Sequence, residues 1–461
     1  MSIRGIKKII VPKFPFTEYT YRWLETILED RFGGKWHLER TSQGLSMSLE
    51  GENGVILFDM LQDCFTEAQS NLPFTYWNAE LENWQMILEG PIPTPGVSSL
   101  KTPLIEKLGS DHIIHYDILG LTYWMLTRLE EIDRNDLDAH GRFPATSSHA
   151  FKHGYLDRPI VDEWMHLLGE VIKRQWQGIK LKRNEKKIFV TCDVDKAYQF
   201  DFSTNVMFRD FAGDVIKRRN PLEAIKKLRT RLRYRRDDFE GDLYLENIEW
   251  MMDVNEKAGN RVAFYFITGG SHHLDPFYHI DQPALRRLLK RIYERGHEIG
   301  LHPSYMTYLD SGKIQREADT LRNVLNEEGI QYSQLGGRQH YLRWQTSDTA
   351  RNLEDAGMDY DSTLSYAEQS GFRCGTSHEF KMFDAEKGRI LNLWQRPLIL
   401  MECSVIDDTY MGLGYSDEAL NYMQTLKSRS LISGGSFTML WHNTDLKKPS
   451  AYTFYEEIIQ S

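Results

Sequence analysis

Thr191-Cys192-Asp193-Val194-Asp195 puts two carboxylates at the end of a short apolar run. Residues two apart on a strand share a face, so Asp193 and Asp195 project together. Carboxylates that close repel unless a cation or a proton sits between them. The plain alternative is a turn or a helix cap. Three more apolar runs end in the same way. Glu298–His302 closes on His302, whose neutral imidazole suits zinc and similar metals. His297, five residues earlier, faces the other way and reads as a structural residue of a helix–strand turn. In Gly336–Trp344, Arg338 and His340 share one face of an extended segment. An arginine beside a carboxylate keeps it ionised and fixes its direction; a surface arginine and a core histidine are the alternatives. His442 follows the apolar run Phe437–Trp441. One such histidine is ordinary. Separate strand ends that all carry Asp or His are harder to assign to packing.

The elements that must position these groups follow from the periodicity. From residue 186 onward, strand-sized apolar runs alternate with helical stretches. The strands are Ile188–Asp193, Val262–Ile267, Glu298–His302, Leu335–Tyr341, Tyr360–Leu364 and Phe437–Trp441. The helices are Leu243–Lys257, Gln282–Arg295, Ile314–Glu328, Thr346–Ala356 (with Thr346 as its cap) and Ser416–Arg429. Such alternation implies parallel strands with helical crossovers, in an open doubly wound sheet or a barrel. In both, chemistry collects at the C-terminal ends of strands, where these residues lie. Residues 1–185 have a mixed texture: strand-like Gly54–Phe58, a Pro/Gly loop at Gly90–Gly96, and helices over Tyr116–Ile132 and Pro159–Trp176. The polar run Lys180–Lys187 reads as a linker, giving an N-terminal α+β domain at 1–185 and a second domain at 186–461.

The region from Lys187 to Asn443 resembles the polysaccharide deacetylase superfamily (the NodB homology domain, carbohydrate esterase family 4 and relatives). The resemblance implies an α/β fold built on a distorted (β/α)7-type barrel, preceded here by the smaller α+β domain. It implies one divalent metal, zinc foremost, with cobalt, manganese, nickel or iron as other occupants. Thr191–Asp195 matches the Asp-x-Asp variant of the first motif, with Asp193 as base and Asp195 as metal ligand. His302 matches a metal ligand of the second motif. Arg338 matches the arginine that positions the base. Leu440-Trp441-His442 matches the last motif, whose histidine is the general acid. Two positions depart from the pattern. Met306 stands where the second metal-binding histidine belongs, and a thioether is a poor ligand for such a metal. His340 stands where a proline is usual, and is the expected replacement ligand; His272, His273 and His279 are its rivals. Tyr305 of the His302–Tyr305 run, Asp361, Arg373 and Trp441 are expected on the substrate side. Asp361 as a cap and Arg373 as a structural partner are the alternatives. The implied activity is hydrolysis of an N- or O-acetyl group from a carbohydrate; with no signal peptide read at the N-terminus, the expected substrate is an intracellular sugar such as a nucleotide- or lipid-linked intermediate of cell-surface polysaccharide synthesis. Another amide or formyl hydrolase, or a silent glycan-binding homologue, stays open. The first part resembles a poorly characterised domain found before such deacetylases, through Asp117, Arg128, Glu130, Glu131 and Asp138–Phe143; packing against the barrel or covering the substrate groove is expected of it.

Composition narrows the rest. The 461 residues are 41% hydrophobic and 26% charged, which excludes a disordered chain or a disulfide scaffold. The net charge of -10 argues against a general nucleic-acid binder. Lys217–Arg236 departs from this, with ten Lys or Arg and one acid, Glu223. It reads as a solvated helix that can also meet anionic lipid, as a peripheral membrane contact, or a pyrophosphate-linked glycan. Cys64, Cys192, Cys374 and Cys403 form no CxxC pair, which fits a reducing compartment. No apolar run approaches the roughly 20 residues of a membrane span. After Lys7 and Lys8 only Ile9–Val11 precede Pro12, too short for a signal-peptide core. A cytoplasmic protein is the expectation.

Overall fold

The computed structural model of the protein describes residues 13–199, 221–234, 241–276 and 278–460. The reading of the N-terminus (1–12) and both ends of the basic stretch (217–220 and 235–236) lie outside the described residues.

The first part begins with α1 (Glu18–Phe32), where Thr17 and Thr20 cap each other's backbone N–H. Then come β1 (Trp36–Thr41), β2 (Gly44–Leu49), β3 (Ile56–Phe58), β4 (Phe74–Trp77), β5 (Ile92–Pro95), β6 (Ile105–Leu108) and β7 (Asp111–Ile114). A five-stranded sheet runs β1-β2-β3-β7-β6, and β4 pairs with β5 apart from it. The stretch read as a Pro/Gly loop is therefore a strand, seated by its antiparallel partner. α2 (Ile118–Leu126) is buried throughout and starts at Asp117, which accepts from Gly120 N–H at 2.7 Å. It ends short of the expected Ile132, because Arg128 takes φ +53° and turns its guanidinium inward to Glu130 and Glu131. α3 (His149–Lys152) and α4 (Ile160–Gln175) complete this part.

The rest of the chain alternates: β8 (Ile188–Val194), α5 (Pro221–Tyr234), α6 (Leu243–Ala258), β9 (Val262–Phe266), α7 (Pro283–Glu294), β10 (Glu298–Leu301), α8 (Ser311–Glu327), β11 (Gly336–Gly337), α9 (Asp348–Asp355) and β12 (Tyr360–Asp361). A hairpin follows, β13 (Phe380–Asp384) with β14 (Arg389–Gln395), and then β15 (Leu400–Met401), α10 (Glu402–Ile406), α11 (Asp417–Ile432), β16 (Phe437–Leu440) and α12 (Pro449–Ile459). These strands make one nine-stranded sheet in the order β13-β14-β12-β11-β10-β9-β8-β16-β15. All neighbours are parallel except β13 and β14. Strand β8 lies inside the sheet and is buried from Val190 onward, as a strand covered on both faces must be.

The sheet departs from the expected barrel: it does not close among the described residues. One edge, β13, is covered instead by α1, whose Trp23 Nε1–H donates to Lys381 O at 2.7 Å while its ring packs on Phe383. The other edge, β15, has only two residues before the chain turns into α10. Thr346 is not the cap of α9. The cap position is Ser347, and Thr346 Oγ1 accepts from Trp344 Nε1 and reaches Glu131.

Glycine sets the spacing at the sheet centre. A Cβ on Gly336 would lie 1.8 Å from the Tyr360 ring, and one on Gly337 would lie 1.9 Å from Leu301 O. Only glycine lets β11 approach both neighbours so closely, and that approach brings Arg338 and His340 over the strand ends.

Candidate metal centre

The parallel strands bring their C-terminal ends to one edge of the sheet. Asp193 lies in β8 and Asp195 one residue past it; His302 follows β10, Arg338 follows β11, and His442 lies two residues past β16. Three imidazoles converge there, each held by its Nδ1. His302 Nδ1–H donates to the Arg338 carbonyl at 2.5 Å, and His340 Nδ1–H to Asp275 Oδ1 at 3.0 Å. His442 Nδ1–H donates to Glu402 Oε1 at 2.6 Å. A carbonyl or carboxylate only accepts, so each Nδ1 carries the proton, and the Nε2 atoms of His302 and His340 are free to offer a lone pair to a cation. The Nε2 atoms lie 3.3, 3.6 and 3.9 Å from Asp195 carboxylate oxygens, for His302, His340 and His442 in turn.

Asp195, His302 and His340 offer donor atoms that all lie within 4.8 Å of one another. Asp195 Oδ1 is buried without a hydrogen-bond partner. A buried oxygen left unpaired beside two lone-pair nitrogens fits a divalent cation, and two histidines with one carboxylate form a common open site. Burial alone would raise the Asp195 carboxyl. The imidazoles of His302, His340 and His442 beside it hold it well below the usual carboxylate range. Glu402, Cys403 and His442 also come within such reach of one another. There, burial pushes the Cys403 thiol well up, which keeps it protonated, and His442 Nδ1 is taken by Glu402.

The rival histidines of the β9–α7 loop are elsewhere. His272 stacks on Tyr305 at 4.3 Å, and His273 and His279 are exposed. That loop contributes a residue the sequence reading missed, Asp275, which is buried and orients His340. Met306 is 47% exposed and points outward, its Sδ 3.7 Å from Arg343 Nη1. His297 is tied at the helix–strand turn, where Nδ1 accepts from Val262 N–H at 3.1 Å.

Asp193 is held on the other side. Arg338 is fully buried, and its Nη1 donates to Asp193 Oδ1 at 2.8 Å and to Thr191 Oγ1 at 2.9 Å. Its Nε and Nη2 are taken by the Ser362 carbonyl and hydroxyl. The other Asp193 oxygen, Oδ2, faces His302 Nε2 at 3.7 Å. Opposite stands His442 with Glu402, also missed from sequence although it directly follows β15, at the same strand-end position as the other site groups. Glu402 Oε1 accepts from both Nδ1 and the backbone N–H of His442. Burial opposes the charged imidazole, but Glu402 outweighs it and raises His442 well above its ordinary value.

The four residues expected on the substrate side are buried. Asp361 accepts from the N–H and hydroxyl of Thr363, so it serves as a turn cap. Arg373 spends Nε and Nη2 on Glu131 and Nη1 on the Ser365 carbonyl. Trp441 packs edge-on against Tyr455. Tyr305 lies nearest the centre, its hydroxyl 3.0 Å from His140 Nδ1 and its backbone N–H on Asp275. For Asp361 and Arg373 the internal partner replaces the expected substrate contact: charged groups this deep need a fixed partner.

Residues 16–177 match the model of a family of unknown function (DUF7033). No curated protein matches the chain. Among solved structures, it is similar to a Mycobacterium smegmatis protein designated a polysaccharide deacetylase. That match has a TM-score of 0.39 and 16% identity over 62% of this chain and 84% of the other. It is also similar to Puue allantoinase, with a TM-score of 0.32 and 12% identity over 46% of this chain and 65% of that one. A third is a Bordetella bronchiseptica protein designated a polysaccharide deacetylase involved in O-antigen biosynthesis, with a TM-score of 0.28 and 13% identity over 63% and 83% of the two chains. No helix among the described residues is long and apolar enough to cross a membrane.

Proposed function

We propose that this protein is a metal-dependent hydrolase that removes an acetyl group from a carbohydrate. The observation that carries the reading is the convergence of the His302, His340 and His442 Nε2 atoms on Asp195, with every Nδ1 anchored. Asp195, His302 and His340 hold the cation in this account, zinc foremost. A divalent cation there supplies a Lewis acid for the acyl oxygen and lowers the pKa of a nearby water. Asp193 takes the proton of the attacking water at Oδ2, the oxygen that Arg338 leaves open. Arg338 holds that carboxylate in its direction through the Nη1 hydrogen bond to Oδ1. His442, protonated at both nitrogens, passes its Nε2 proton to the departing amine or alkoxide. Glu402 holds the ring and stabilises the charged imidazole before the transfer.

The finer parts of the proposal rest on the sequence reading alone: a division of the chain at 185/186 from its polar linker, a nucleotide- or lipid-linked substrate from surface-polysaccharide synthesis, and a cytoplasmic setting with peripheral membrane contact through the basic run 217–236. The test is acetate release by zinc-loaded protein from chitotetraose, O-acetylated xylotetraose and UDP-N-acetylglucosamine, beside formylated counterparts. Acetate release that disappears in Asp193→Asn supports the reading. Formate release without acetate release replaces the acetyl assignment. No release of either, with the metal bound, overturns it.

A further inference from the structure

At the opposite ends of β8 and β16 from the metal centre lies a cavity of about 760 Å³. It is bounded by the end of α1, by α4, by the polar run Lys180–Lys186 and by the turn before β16. The polar run is not a free tether there. Lys182 N–H donates to the carbonyl of Phe32, the last residue of α1, at 2.8 Å. Phe32 and Met165 are buried, Ile179 and Leu181 are half-buried, and together they give the cavity an apolar wall. An apolar wall with a few charged groups is the usual make-up of a small-molecule site.

The charges around this cavity do not balance. Six basic and two acidic side chains line it. Arg31 meets Asp162 and Lys173 meets Glu170, each at 2.6 Å. Lys180, Lys182, Arg183 and Lys186 form no ion pair among the described residues. Four such cations on one short segment repel one another and raise the local concentration of anions, in a chain whose net charge is -10. Arg31 gives a second, independent sign. Its side chain is only 9% exposed. Nη2 donates to Asp162 Oδ1 and Thr376 Oγ1, at 2.6 and 2.7 Å, while Nε and Nη1 have no hydrogen-bond partner among the described residues. A guanidinium this deep, with donors left over at a cavity wall, suits an anionic acceptor.

A carboxylate brings a single negative charge, and a phosphate monoester about two at neutral pH. Four unpaired cations with Arg31 suit a diphosphate, and the apolar wall suits a hydrocarbon body attached to it. We propose that this cavity is a second ligand site, for an organic diphosphate whose apolar body lies on Phe32, Met165 and Leu181 and whose charge is held by Arg31 and the cations of the Lys180–Lys186 run. Because α1 and α4 belong to the first part of the chain and the turn before β16 to the sheet, the ligand bridges the two and raises the melting temperature by mass action.

The test is titration calorimetry of geranyl diphosphate, inorganic diphosphate and geraniol into the zinc-loaded whole chain, beside Lys182→Ala/Arg183→Ala and His340→Ala. Geranyl diphosphate binds saturably and raises the melting temperature. Inorganic diphosphate binds about tenfold more weakly, for want of the apolar body, and geraniol does not bind saturably. The double variant, altered only at exposed side chains, melts as wild type does and binds geranyl diphosphate about tenfold or more weakly. His340→Ala binds it as wild type does. If the double variant does not fold, Lys180→Gln/Lys186→Gln takes its place. No saturable binding of geranyl diphosphate, equal affinity in the linker variant, or inorganic diphosphate binding as tightly overturns the proposal. Loss of binding in His340→Ala also overturns it, by assigning the diphosphate to the metal centre. The titrations need no turnover, so they stand apart from the acetyl reading.

Discussion

Glu402 Oε1 accepts both the Nδ1–H and the backbone N–H of His442, at 2.6 and 2.8 Å, so one buried carboxylate fixes the ring's position and its tautomer together. The other oxygen, Oε2, is buried without a partner, which leaves His442 as the group that answers the carboxylate's charge.

Replacing Glu402 with glutamine keeps the shape and removes the charge. Turnover falls roughly tenfold to a hundredfold. The alkaline limb of the rate profile moves to lower pH, because a carboxylate that favours the imidazolium has been lost. A pH–rate series on both proteins checks this; a limb that stays in place contradicts the assigned pairing.

Arg338→Lys separates positioning from fold and metal. Lysine keeps a positive charge but cannot bond Asp193, Thr191 and Ser362 at once. Activity falls about a hundredfold or more, while metal content is unchanged, since His302 leans on the backbone carbonyl of residue 338 and not on its side chain. Metal analysis beside acetate release reads both.

Acid stability isolates the network that joins the first part to the sheet. Glu131 is 2% exposed at its side chain and takes Arg128 and Arg373 together. Burial would raise its carboxyl, but the two arginines bring it down from 4.5 to about 2. A depressed carboxylate contributes its stability in full above its unfolded value and loses it as pH falls through the folded one. The window is therefore pH 4.5 to about 2, and about 3 kcal/mol is at stake. Urea midpoints across that window fall steeply for wild type. Glu131→Gln is already weakened at neutral pH and shows a shallower acid slope.

The same network predicts that residues 186–461 do not fold by themselves. Without the first part, Arg373 loses Glu131, Thr376 loses Asp162 and Lys381 loses Trp23. Expressed alone, that segment gives no cooperative melting transition; a sharp transition near that of the whole chain contradicts the account.

The candidate site was legible where its cause is local. Asp193, Asp195, His302, Arg338, His340 and His442 stand at the ends of short apolar strands, and parallel topology gathers strand ends. What depends on distant pairing was not legible. Arg373 and Asp361 look like polar groups free for a substrate until Glu131, 242 residues away, and the Thr363 turn occupy them. Asp275 and Glu402 are ordinary carboxylates until His340 and His442 fold onto them. The β13–β14 hairpin, with its irregular register between Lys381 and Phe383, breaks the parallel alternation at one edge of a sheet that does not close among the described residues. Tyr341 takes φ 62°, which its residue type does not signal, and its carbonyl accepts from Arg142, 199 residues earlier.

The proposed centre requires His340 as the ligand that Met306 cannot supply. Metal content and affinity of wild type beside His340→Ala test it directly. Wild type is expected to hold one equivalent of zinc, and the variant to bind it at least a hundredfold more weakly, about 3 kcal/mol. Equal metal content and affinity in the two proteins would contradict it.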